Sequence, residues 1–122
     1  MRNLVIFSNN PDLQRAYPEI VQYTAQDVRK IFIAVRDAVH DGARILSHPL
    51  AGSVKPWESP YKSVILSAER GVLDFASVQL IENALAQLDK PTYALQDYNE
   101  STLADFRIID MDLMQSALQS LT

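Results

Sequence analysis

Apolar and polar positions alternate along the chain in blocks that separate strands from helices. Leu4-Val5-Ile6-Phe7 is an unbroken apolar run stopped by Ser8-Asn9-Asn10-Pro11, the pattern of a buried strand that ends in a turn opening a helix. Pro11 suits a first helical position and Asn10 can cap it, but Pro18 keeps that helix short. Residues 19–23 read as a second strand. Thr24 and Asp27 form a capping-box variant ahead of Val28, Ile31, Phe32, Val35, Ala38 and Val39, whose steps of three and four predict a helix over about 25–41 that Gly42 ends. Further strands are expected at 43–47, 63–67 and 106–110. Asp74 is placed to cap a helix with Val78, Ile81, Leu85 and Leu88 on one face, closed by Pro91. Asp110 is placed to cap a terminal helix that turns Leu113, Met114, Ala117, Leu118 and Leu121 inward.

Strands separated by amphipathic helices define an α/β chain. The expectation is one domain over residues 1–122, three-layered, with a mostly parallel sheet flanked by helices. One junction departs from that scheme. The strands at 43–47 and 63–67 are joined by "HPLAGSVKPWESPYK", which has three prolines, the lone tryptophan and no helical or strand periodicity. A long irregular Pro-rich loop at 48–62 is therefore expected, and the direction of the strand pair around it stays open.

Composition narrows the chemistry. With 122 residues, 48% of them hydrophobic, the chain suffices for one core and is short for two. There is no cysteine, which excludes disulfides, thiolate ligands and a cysteine nucleophile, and two histidines leave little for a metal site. The net charge of -4 argues against nucleic acid as a partner. The four-residue apolar run near the start is too short for a signal core or a membrane span, so a soluble cytoplasmic protein without a membrane partner is expected. Charge is unevenly spread: residues 1–67 hold eight Lys or Arg against six acids, and residues 68–122 three against nine.

The polar ends of the predicted strands supply the candidate site. In sheets of this class ligands sit outside the carboxyl ends of parallel strands. Ser8, Asn9 and Asn10 end the first strand, while Ser47 and His48 end the third. Gly52 and Ser53 allow close backbone approach, Lys55 and Lys62 bring positive charge, and Ser53, Tyr61 and Ser63 bring hydroxyls. Together they suit a small anion, carboxylate or phosphate. Neither G-x-x-x-x-G-K-[ST] nor G-x-G-x-x-G occurs, so no nucleotide cofactor is implied. His48 is the only candidate acid or base, and as a lone histidine it is more often structural. Lysines are ordinarily solvated and prolines ordinarily stiffen loops, so the weight rests on their concentration in one segment.

The run "LSHPLAGSVKPWESPYKSVILS", with the amino-terminal "VIFSNNP" and the late "FRIIDMDLM", resembles the GrdX family. These are small proteins encoded beside glycine, sarcosine and betaine reductase components. The resemblance implies a metabolic context and no reaction. Three functions follow as expectations: an accessory or regulatory protein binding a small anionic metabolite, an enzyme acting on such a metabolite in the same place, or a docking partner of a reductase component.

Overall fold

The computed structural model describes residues 3–25, 27–49, 59–89 and 98–121. Among them the chain order is β1 (Leu4–Ser8), α1 (Pro11–Ala16), β2 (Val21–Tyr23), α2 (Val28–His40), β3 (Ser63–Ser67), α3 (Phe75–Leu88) and α4 (Glu100–Leu121). The strands form one sheet in the order β2-β1-β3. The fold is mixed α/β, and the expected mostly parallel sheet is corrected to a mixed one. β1 pairs with β2 in parallel, Ile6 beside Val21, and with β3 in antiparallel, Ile6 beside Ile65. The α1 crossover forces the parallel pair. The sequence between 47 and 63 lacks a helical repeat, so nothing obliges β3 to keep that direction. Of the Pro-rich loop, residues 50–58 lie outside the described residues.

Alternation along β1 sends its side chains to two apolar clusters. Phe7, with Val64 and Leu66 of β3, packs among Val28, Ile31, Phe32, Val35 and Val39 of α2 and Ile81, Ala84, Leu85 and Leu88 of α3. Ile6 and Ile65 pack with Leu13 of α1, Val21 of β2, and Met114 and Leu118 of α4. Each fully buried side chain of this size is worth about 1.5–3 kcal/mol of transfer free energy. The α2 stripe read from the sequence is the buried one, residue for residue.

Several boundaries move for local reasons. Pro18 opens a turn in which the Ile20 and Val21 amides donate to the Tyr17 carbonyl, so β2 begins at Val21 and not at 19. Thr24 does not cap α2. Its amide donates to the Ser8 carbonyl and prolongs the strand pairing, and Asp27 caps instead, accepting from the Lys30 amide at 3.0 Å. Residues 43–47 make a single antiparallel bridge, Ile45 to Leu66, flanked by amide bonds from Leu46 to Ile65 and from Ser67 to Arg44. Gly42 ends α2 at φ 104°, and an added Cβ would stand 2.3 Å from the Gly71 carbonyl oxygen.

The expected strand at 106–110 is helix. Asn99 caps α4, its Oδ1 accepting from the Thr102 amide at 2.9 Å, so Asp110 lies inside the helix and caps nothing. Steps of three and four from Arg107 through Asp110 and Met114 to Leu118 outweigh the three apolar residues Phe106, Ile108 and Ile109 that suggested a strand. That stripe is apolar where it crosses the sheet and charged where it passes the strand ends.

Candidate functional site

The antiparallel β1–β3 pair brings the last residue of one strand beside the first of the other. Ser8 opposes Ser63, and their hydroxyl oxygens lie 2.7 Å apart. Chain reversal after β1 folds the next residues back onto Ser8, whose Oγ accepts from the Asn10 amide at 2.9 Å. Asn10, wholly buried, caps α1 by accepting from the Asp12 amide at 3.0 Å.

Helix α4 supplies the acceptor of this cluster. Asp110 Oδ2 accepts from Ser63 Oγ at 2.6 Å and from Asn10 Nδ2 at 3.0 Å, while Asn10 Nδ2 also donates to the Arg107 carbonyl at 3.0 Å. With the carboxylate ionised, the Ser63 proton is committed to Asp110, so the Ser8 hydroxyl donates to Ser63 and accepts from Asn10. Burial pushes the Asp110 carboxyl above its ordinary 3.8, although the Ser63 and Asn10 bonds and the charge of Lys62 pull the other way. Its second oxygen, Oδ1, has no hydrogen bond among the described residues.

Lys62 enters on the segment before β3, which Asn9 clamps. Asn9 Oδ1 accepts from the Lys62 amide at 2.9 Å, and Asn9 Nδ2 donates to the Pro60 carbonyl at 2.8 Å. Lys62 is only 6% exposed, a correction to the expectation of a solvated lysine. Desolvation lowers its pKa from 10.5, opposed by the attraction of Asp110. No ion pair within 4.0 Å engages its ammonium among the described residues.

Arg107 sits at the rim. It donates to the Tyr61 hydroxyl at 3.0 Å, stands 5.6 Å from that ring's centre, and pairs with Glu100 and, at 3.6 Å, with Asp12. The Glu100 hydrogen bond, then the Tyr61 one, raises its already high pKa. Its charge is answered twice over, which leaves Lys62 as the cation of this site without a counter-ion at contact distance.

Of the residues singled out from the sequence, Ser8, Asn9, Asn10, Tyr61, Lys62 and Ser63 come together. Ser47 instead supports the sheet, its Oγ accepting from the Ile65 amide at 2.8 Å. His48 is exposed and is not a partner of Ser8, Asn10, Ser63 or Asp110. Gly52, Ser53 and Lys55 lie outside the described residues. The sequence reading missed Asp110 and Arg107 as site residues. Continuing the 114/118 stripe back by one and two turns would have found both.

A cleft of about 330 Å³ opens elsewhere, at the β2 edge beside α2, lined mainly by apolar surface with Phe7, Tyr23, Lys30 and Ala34 among its walls. The acid–lysine cluster does not line it. Among the described residues no group of three His, Asp or Glu is arranged to hold a metal, and no helix is long and apolar enough to cross a membrane.

The arrangement is that of a small mixed α/β protein with a hydrogen-bonded cluster of polar and ionisable side chains at the strand ends. The chain belongs to the GrdX-like protein family, whose model matches residues 5–119. No curated protein and no solved structure matches it.

Proposed function

We propose that this protein is a cytoplasmic accessory or regulatory component of glycine reductase-type amino-acid metabolism, and that it binds a small carboxylate-bearing metabolite through Lys62. The metabolic context comes from the family resemblance. The observation that carries the binding site is Lys62 itself, a residue only 6% exposed whose ammonium has no ion-pair partner within 4.0 Å among the described residues. A buried charge costs several kcal/mol unless it is paired, so its retention points to a partner that arrives from solution. Asn9, Asn10, Tyr61 and Ser63 furnish a polar, pre-ordered surround, which lowers the entropy lost on binding. Packing of α2 and α3 on one cluster and α1 and α4 on the other supports a three-layer domain whose edge holds the site.

Titration calorimetry with a panel of small carboxylates tests this reading. Binding is expected for the native chain, with a loss of about tenfold or more for Lys62→Met, the equivalent of one charge-assisted hydrogen bond. Equal affinity in a folded Lys62→Met variant would reject it.

A further inference from the structure

The ligand class can be narrowed by what stands opposite Lys62. Asp110 and Lys62 are each 6% exposed, are an acid and a base, and each lies within electrostatic reach of the other. Yet they are not joined by an ion pair within 4.0 Å. Asp110 commits Oδ2 to Ser63 and Asn10 and leaves Oδ1 without a bond. Among the described residues no side-chain nitrogen or oxygen is both sealed from solvent and without a partner. Lys62 Nζ and Asp110 Oδ1, without hydrogen bonds among the described residues, are therefore not sealed from solvent, although each residue as a whole is only 6% exposed.

A bare anion at Lys62 would stand near the Asp110 carboxylate and be repelled by it, and a bare cation at Asp110 would meet the same difficulty with Lys62. A molecule carrying both charges answers both groups at once. We propose that the site takes a small α-amino acid zwitterion, its carboxylate on Lys62 Nζ and its cationic nitrogen on Asp110 Oδ1. This rests on the reading of Lys62 as the carboxylate-binding group and adds Asp110 as the residue that selects a cationic nitrogen. Ser63 and Asn10 hold the selecting carboxylate in place, with Oδ2 fixed by two donors and Oδ1 left without a hydrogen bond among the described residues.

Calorimetry on the full chain at neutral pH, with glycine and alanine against acetate and propionate, the same skeletons without the amino group, tests the assignment. The zwitterions are expected to bind at least about tenfold more tightly than their deaminated counterparts. Asp110→Asn keeps an oxygen that can accept from Ser63 and Asn10 but removes the charge. It should weaken glycine about tenfold and leave acetate equal or stronger, because the repulsion is gone, and circular dichroism checks that the variant is folded. Lys62→Met should weaken both kinds of probe. Acetate binding as tightly as glycine in the native chain, with loss in Lys62→Met, would overturn the zwitterion and leave the carboxylate reading standing. No heat from any probe up to about 10 mM would overturn both, since even a millimolar complex would be visible there.

Discussion

Ser63 Oγ and Asp110 Oδ2 stand 2.6 Å apart and join the first residue of β3 to the interior of α4 across 47 positions of chain. The bond is largely shielded from water and is charge-assisted when Asp110 is ionised, the form in which it ranks among the stronger single contacts a fold can make. It is also the link through which the sheet decides where the α4 carboxylate points.

Ser63→Ala removes the donor to Asp110 and the acceptor of the Ser8 hydroxyl together. A loss of about 1–3 kcal/mol is expected in urea unfolding, because a buried carboxylate and a buried hydroxyl each lose a partner. Ser120→Ala, whose exposed hydroxyl bonds only the Ala117 carbonyl, should stay within about 0.5 kcal/mol of the native chain. Equal effects from the two changes would show that the bond contributes nothing.

Lys62→Met should make the protein more stable, by about 1 kcal/mol, even as it removes ligand binding. A largely covered lysine without a contact ion pair is replaced by an apolar side chain of similar length, the usual opposition between a functional group and stability. Thermal unfolding of both chains without ligand reads this directly, and a lower midpoint for the variant would contradict it.

The two buried charges give opposite pH signatures. The folded state binds the Lys62 proton less tightly than the unfolded chain does, so the penalty is absent above pH 10.5 and develops as pH falls through the lowered folded value. The native chain should therefore gain on Lys62→Met as pH is raised from neutrality toward 10.5. For Asp110 the folded pKa is raised, so its favourable contribution is complete below 3.8 and is lost as pH climbs through the elevated value. Asp110→Asn should thus gain on the native chain as pH rises from 3.8 into the neutral range. Denaturant midpoints measured across pH for the three chains would expose parallel curves, which neither shift allows.

Gly42→Ala should cost at least about 2 kcal/mol, since φ 104° is strained for alanine and the new methyl would meet the Gly71 carbonyl at 2.3 Å. Gly71→Ala meets nothing within 4 Å and should change stability by less than about 0.5 kcal/mol. The pair distinguishes a backbone requirement from general intolerance of that contact, and similar losses for both would refute the backbone account.

How far the fold can be read from sequence varies with the distance over which each element is decided. β1, α1, α2, β3 and α3 carry their own signals: an apolar run bounded by Asn10-Pro11, a stripe at steps of three and four, or a cap such as Asp74, which accepts from the Ser77 amide at 3.2 Å. Residues 106–110 were ambiguous because five residues rich in Phe and Ile suit either a strand or a turn of helix. The Asn99 cap, seven positions upstream of Phe106, resolves them. Half of the candidate site was legible because polar residues crowd the ends of β1 and β3. Asp110 was not, because reading 106–110 as a strand broke the stripe of Met114 and Leu118, which pack with Ile6 and Ile65, one turn before it reached the carboxylate.

The bond from Asn10 to Asp110 spans 100 positions. During synthesis the amino-terminal strand and its capping asparagine emerge long before the helix that completes them, and β1 must also wait for β3, 55 positions on, to fill its second edge. Closure over such separations costs chain entropy that contacts of short range do not, so the strand-end cluster is expected to assemble late in folding. On the proposed reading, ligand capture would report a finished molecule: a nascent or truncated chain without α4 holds Lys62 but has no carboxylate to set against it.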